Sequence, residues 1–178
     1  MKEILMSIKP EWVAKILNGE KTIEIRKRFP KDYVGWVYIY CTKDKKYANL
    51  INRGGFLTGM VVARFWCDKV ERLYEYQVDG YGSDYEIASD TLEQEELLKE
   101  CCLTYDQLSD YLGDINNGCA IHITNLEIFE KPKEISEFKH LLKGNKLDHS
   151  IDAINIFGGV PLTHSPQSYC YIEIWELH

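Results

Sequence analysis

Alternating apolar positions near the N-terminus predict a strand, and a change of period directly after it predicts a helix. Ile4, Met6 and Ile8 alternate through ILMSIK, as in a strand with one buried face. In the next segment, PEWVAKILNG, apolar residues recur at helical spacing after a proline that suits a first helical turn. Asn18-Gly19 ends this helix, because glycine accepts the left-handed conformation found at helix C-termini.

The segment KTIEIR, directly after this helix, is predicted to be a second strand that carries an unusual amount of charge. Alternation places Ile23 and Ile25 on one face, and Glu24 and Arg26 on the other. Lys21 has the opposite parity to Glu24, so it can join the same face only from the turn before the strand. Two interpretations are open: a charged edge strand whose ion pairs are solvated, or the charged floor of a binding site.

The remaining apolar pattern predicts further strands separated by polar and glycine-rich loops. They lie at Trp36 to Lys43, within Phe56 to Leu73, at Cys119 to Pro132 and at Tyr169 to Leu177. Gly59 suggests a bulge or a close approach of another group. About six strands with a few short helices are too few and too interrupted for parallel βαβ winding, which favours an α+β fold built on a small, mostly antiparallel barrel.

The segment around 74–118 is predicted to be an acidic, partly helical insertion. After a stretch rich in Tyr and Gly, two short helices are expected, and Thr104 with Gln107 resembles a capping box at the start of the second. The predicted buried side of both helices consists of leucines: Leu92, Leu97, Leu98, Leu103, Leu108 and Leu112.

Length and composition indicate one globular domain, 1–178. The chain has 178 residues, of which 45% are apolar and 28% are charged. No apolar run reaches the length of a membrane span, and the N-terminus turns polar too soon for a signal peptide, so a cytoplasmic protein that does not interact with membranes is expected. The six cysteines form no CxxC pair and no Cys/His spacing of a metal site, and phosphate-binding glycine motifs are absent, so neither metal nor cofactor is predicted.

Charge is distributed unevenly along the chain, although the net charge is −7. Residues 20–53 contain nine Lys/Arg against four Asp/Glu, whereas residues 68–114 contain three against fourteen. A local positive face is therefore compatible with the acidic total. Lys27, Arg28 and Lys31 form a basic run after the second strand, and Lys43, Lys45 and Lys46 are predicted to add to the same face.

The pattern G-x-K-x-x-E-x-R, formed by Gly19, Lys21, Glu24 and Arg26, resembles the ASCH domain family, relatives of the PUA domains. The resemblance continues through VYIYCTK, TGMVVARF, AIHITNLEIFEKPKEISEF and PQSYCYIE, the last as in phage and Firmicute-type members. It implies a PUA-like β-barrel with a cleft between the first helix and the barrel, lined by the charged pattern. It also implies RNA or a modified nucleoside as the ligand.

Two enzymatic alternatives follow from the same resemblance. One subgroup resembles N4-acetylcytidine amidohydrolases, in which a lysine matching Lys21 works with a threonine three residues on. That position is Glu24 here, and a carboxylate is not a hydroxyl nucleophile. Other members are reported as ribonucleases, so Lys21 and Glu24 stay candidates for catalysis. A further alternative is a phage or regulatory adaptor whose acidic insertion binds a protein.

The chemistry of these residue types suits a nucleic-acid ligand. Arg26 offers a planar fork and Lys21 a point charge for a phosphate or a base carbonyl. Glu24 can accept from an exocyclic amino group. Trp36 and Phe29 are either core residues or, if exposed at the cleft, stacking platforms. Further ligand-binding candidates at the cleft rim are Arg28, Ser7, Lys9, Lys43, Gln167 and Ser168.

His122 lies within a predicted strand and is expected to be a hydrogen-bonded structural residue. No Ser-His-Asp or Cys-His motif accompanies it. The oligomeric state is not defined by any of these patterns.

Overall fold

Ten strands and three α-helices make up most of the described chain, which in the computed structural model comprises residues 2–44, 58–78, 85–140 and 160–173. Single turns of 3₁₀ helix lie at Ile115–Asn117 and Ile135–Glu137. In chain order the elements are β1 (Glu3–Ile8), α1 (Pro10–Leu17), β2 (Ile23–Arg26), β3 (Gly35–Cys41), β4 (Val61–Cys67), β5 (Val70–Gln77), β6 (Tyr85–Ser89), α2 (Gln94–Cys101), α3 (Tyr105–Leu112), β7 (Cys119–His122), β8 (Thr124–Lys133), β9 (Lys139–His140) and β10 (Tyr169–Glu173).

The larger sheet has six strands in the order β8-β4-β3-β1-β10-β9. Strand β1 lies inside it, parallel to β3 and antiparallel to β10, so that Leu5 is paired with both Tyr38 and Cys170. Leu5 and Tyr38 belong to a buried apolar cluster with Phe138 and Leu162, which follow the sheet's edge strand β8 in the chain. Ile4, Met6 and Ile8 lie on the opposite face to Leu5 and are buried as well, so the strand is covered on both faces rather than on the one that the alternation indicated.

The smaller sheet has four antiparallel strands in the order β2-β7-β5-β6. Ile23 and Ile25 of β2 form one apolar cluster with Leu97 of α2 and with Leu108 and Leu112 of α3. The two helices therefore cover the face of the sheet to which these isoleucines belong. Helix α3 begins with the predicted capping box: the Thr104 hydroxyl accepts from the Gln107 amide, and the Gln107 side chain accepts from the Thr104 amide.

Two compact units divide the chain. The first unit consists of Met1–Val13, Gly35–Phe65 and Glu127–His178, and the second unit consists of Ala14–Val34 and Trp66–Leu126. Across the described residues, no helix combines the length and the apolar character that a membrane span needs.

The α+β class with short helices and mostly antiparallel strands is confirmed, but the strands form two sheets rather than the expected barrel of about six strands. Two of the predicted strands are each divided, at Asp68-Lys69 and at Ile123. At both points the chain leaves one sheet and enters the other. Neither break contains a glycine or a proline, so no strong turn signal divided these strands in the sequence.

The two predicted helices at 94–112 are confirmed, and the extent of the acidic insertion, 74–118, stays a prediction. The predicted close approach at Gly59 is also found. Its φ is +88°, and a Cβ at this position would lie 2.8 Å from the Lys43 side chain. The ends of two predicted strands, 56–57 and 174–177, lie outside the described residues, as do Lys45 and Lys46.

Candidate functional site

The register of β2 against β7 sets the direction of the charged side chains. Ile25 is paired with Ala120, whereas Glu24 is paired with Ile121 and Arg26 with Cys119. Cross-strand partners share a face, and successive residues alternate. Glu24 and Arg26 are therefore neighbours on the face opposite to the isoleucines that pack against the helices.

Lys21 reaches this face from the turn between α1 and β2, as its position before the strand predicts. Gly19 has a φ of +74°, which suits the left-handed end of a helix. The amides of Gly19 and Lys21 then donate to the carbonyl oxygens of Ile16 and Lys15, at 2.9 and 3.1 Å. The turn remains attached to α1, so Lys21 precedes the alternating part of the chain.

Three charged groups converge at this point and form the charged triad Lys21–Glu24–Arg26. The Lys21 Nζ lies 3.4 Å from Glu24 Oε2, and Arg26 Nη1 lies 3.0 Å from Glu24 Oε1. Lys21 also donates to the carbonyl oxygen of Cys101, at 2.7 Å. The side chains of Lys21, Glu24 and Arg26 are 2%, 5% and 12% exposed, so Arg26 is the most accessible of the three.

The guanidinium of Arg26 stays charged despite its enclosure. Burial lowers the pKa of Arg26, but the Glu24 carboxylate and a hydrogen bond with Tyr111 outweigh that effect, and the pKa is raised above its usual value. Two cations around one carboxylate leave a net positive charge in the triad. Such a group can hold an anion or accept hydrogen bonds at Glu24.

The other predicted site residues fall into both units. Arg28 is exposed and follows β2 in the second unit. In the first unit, the Ser7 hydroxyl is buried and donates to the Pro166 carbonyl oxygen at 2.7 Å, while the Ser7 amide donates to the Ser168 carbonyl oxygen at 2.9 Å. The remaining candidates of the first unit are exposed: Lys9, Lys43, Gln167 and Ser168. A shared ligand for these residues and the charged triad stays a prediction.

Two contacts of the charged triad were not predicted from the sequence. Cys101 contributes a backbone carbonyl, which no side-chain motif can indicate. Tyr111 lies within an amphipathic helix, at the border of its buried side, and only the packing of distant segments brings it to Arg26. Phe29, a candidate stacking residue, is 7% exposed and packs edge-on against Tyr33.

A second polar cluster surrounds the buried carboxylate of Glu71. Its Oε1 lies 2.6 Å from Lys69 Nζ, 2.6 Å from His122 Nε2 and 2.7 Å from the Thr91 hydroxyl, while its Oε2 accepts from Ser89 at 2.6 Å. Burial raises the pKa of Glu71, but these hydrogen bonds outweigh it and lower the pKa to about 2. His122 is thus hydrogen-bonded, as expected. In the described part of the chain, no group of three or more His, Cys, Asp or Glu is placed to hold a metal ion.

No family model matches the sequence. A comparison with curated proteins likewise finds no match. Among solved structures, a point mutant of the ASCH protein from Zymomonas mobilis is similar over 76% of this chain and 77% of its own, with 18% identity and a TM-score of 0.49. A second crystal structure, ASCH from Zymomonas mobilis, is similar over 75% of this chain and 74% of its own, with 19% identity and a TM-score of 0.48. The chain is therefore similar in structure to ASCH proteins from Zymomonas mobilis.

Proposed function

We propose that this chain is an ASCH-domain protein whose charged triad binds RNA or a modified nucleoside. The pattern of Gly19, Lys21, Glu24 and Arg26 resembles that of the family. The observation that carries the proposal is the convergence of Lys21 and Arg26 on one carboxylate. On a solvated edge strand the same side chains would extend separately into water.

The energetic cost of the charged triad supports a functional role. Lys21 and Glu24 are almost fully enclosed, and removing charged groups from water is costly even when they are paired. Replacing a buried ion pair by apolar residues of similar volume often leaves the stability unchanged or increases it. The strand therefore does not need this triad in order to be stable, which supports selection for a ligand.

The geometry supports different tasks for the three side chains. Arg26 is the most accessible and presents its planar fork to a phosphate or a base carbonyl. Glu24, fixed between two cations, is an acceptor for an exocyclic amino group. Lys21 is held by the Cys101 carbonyl and positions Glu24. The exposed Lys27 and Arg28 extend the positive charge along a phosphate backbone.

Fluorescence anisotropy with short labelled single-stranded RNAs at about 50 and 200 mM salt tests this function. The wild-type protein is expected to bind, and to bind more weakly at the higher salt concentration because phosphate contacts release counterions. Arg26→Ala and Lys21→Ala are expected to weaken binding about tenfold or more. Lys15→Ala is the matched control, because Lys15 is 41% exposed and pairs with Glu20 outside the charged triad. Equal binding by all four proteins would contradict the proposal, as would a wild-type protein that binds neither these RNAs nor a nucleoside.

The same proteins distinguish binding from catalysis. Turnover of N4-acetylcytidine, or cleavage of the RNA, that is lost in Lys21→Ala or Glu24→Ala would replace the binding function with a hydrolase. Partner binding that maps to residues 68–114 and is unchanged in Lys21→Ala would replace it with an adaptor.

A further inference from the structure

An exposed aromatic ring lies beside the charged triad. Tyr111 belongs to α3 and is 40% exposed. Its hydroxyl lies close enough to Arg26 to raise the pKa of the guanidinium. The Nζ of Lys27 lies 5.7 Å from the centroid of its ring, close enough for a cation–π interaction. The ring thus lies beside two successive cations, Arg26 and Lys27, at the end of β2.

The position of Tyr111 in its helix explains this exposure. The neighbouring Leu112 and the preceding Leu108 are buried in the apolar cluster between the helices and the smaller sheet. Tyr111 is turned by about 100° from Leu112 around the helix axis, so it lies at the border of the buried side, and 40% of it is exposed. Its ring is partly exposed, while its hydroxyl lies beside Arg26. An exposed aromatic ring beside cations is the combination that sites for single-stranded nucleic acids use for base stacking.

We propose that Tyr111 contacts the ligand directly and stacks on a nucleobase that carries a phosphate. This inference rests on the proposed function. Single-stranded nucleic acids are commonly bound by stacking of unpaired bases on aromatic side chains, with cations along the backbone. Tyr111 supplies the ring, Lys27 supplies a cation for the phosphate, and Arg26 with Glu24 contacts the edge of the base. The acidic helical segment therefore contributes to specificity at the charged triad.

Two labelled probes separate stacking from charge: a short oligouridylate and an abasic ribose-phosphate oligomer of the same length. Tyr111→Leu is expected to weaken oligouridylate binding about tenfold and to leave abasic binding nearly unchanged, because stacking needs the ring. Tyr111→Phe keeps the ring and is expected to retain most of the oligouridylate affinity. Tyr85→Leu is the control, since Tyr85 is 48% exposed on β6.

Nitration by tetranitromethane gives a second readout on the wild-type protein. Bound oligouridylate is expected to slow nitration of Tyr111 and to leave that of Tyr85 unchanged. If Arg26→Ala abolishes binding while Tyr111→Leu binds like Tyr85→Leu and Tyr111 is nitrated at its original rate, the stacking role is wrong and the proposed function stands. If the wild-type protein binds neither probe nor a nucleoside, both proposals are wrong.

Discussion

The ammonium of Lys21 donates a hydrogen bond to the carbonyl oxygen of Cys101, 2.7 Å away and 80 positions later in the chain. Cys101 is the last residue of α2, and the carbonyl groups at a helix C-terminus carry partial negative charge. The cation is therefore stabilised both by the helix end and by Glu24. This contact links the acidic helical segment to the charged strand, so the position of α2 determines the geometry of the charged triad.

Replacing Lys21 by Met is expected to destabilise the protein by about 3 kcal/mol, because an enclosed carboxylate loses one of its partners. In the double variant with Glu24→Gln, the loss is expected to be smaller than the sum of the two single losses by about 1 kcal/mol. Urea unfolding of the wild type, both single variants and the double variant measures this coupling.

The surface pair Lys15–Glu20 provides the comparison for the coupling between Lys21 and Glu24. Its charged atoms are 3.6 Å apart, and its side chains are 41% and 54% exposed. Lys15→Ala is expected to change the free energy of unfolding by less than about 1 kcal/mol. Strictly additive losses at Lys21 and Glu24 would show that the two groups do not stabilise one another.

Thr104→Ala is expected to destabilise the protein by about 1 kcal/mol, since α3 loses its N-terminal cap. The Thr104 hydroxyl accepts from the Gln107 amide at 3.3 Å, and the Gln107 side chain accepts from the Thr104 amide at 3.0 Å. Thr104→Ser keeps the acceptor and is expected to retain most of the stability. Equal midpoints for Thr104→Ala and the wild type in urea unfolding would argue against the cap.

Gly59→Ala is expected to destabilise the protein by roughly 1–2 kcal/mol, because its φ of +88° is strained for an alanine. Gly19→Ala isolates this backbone effect: its φ is +74°, and an added Cβ would meet nothing within 4 Å. At Gly59 the Cβ would also approach Lys43 Cε to 2.8 Å. Adding Lys43→Ala to Gly59→Ala is expected to restore any excess loss over Gly19→Ala. Thermal unfolding of these variants measures both effects.

Local sequence patterns predicted which side chains of β2 share a face. They did not predict the contacts that distant segments make with those side chains. The period of two in KTIEIR placed Glu24 beside Arg26, and Gly19 indicated that Lys21 precedes the alternation. The contacts with Cys101 and Tyr111 depend on segments about 80 residues away, whose pairing no local period encodes. The two sheets were missed because no glycine or proline marks the points where the chain changes sheet, at Asp68-Lys69 and Ile123.

The stability contributed by Glu71 is expected to depend on pH. Its pKa is about 2 in the folded protein, against an ordinary value of 4.5. A carboxyl group with a depressed folded pKa contributes fully above its unfolded pKa, and this contribution is lost as the pH falls toward the folded pKa. Glu71→Gln is therefore expected to be less stable than the wild type by about 2 kcal/mol at neutral pH, with a difference that shrinks between about pH 5 and pH 2.

Urea unfolding across this range measures the difference. Glu20→Gln serves as the exposed control, with its side chain 54% exposed. A difference between wild type and Glu71→Gln that stays constant with pH would mean that the Lys69, Ser89, Thr91 and His122 donors do not hold Glu71 in its ionised form.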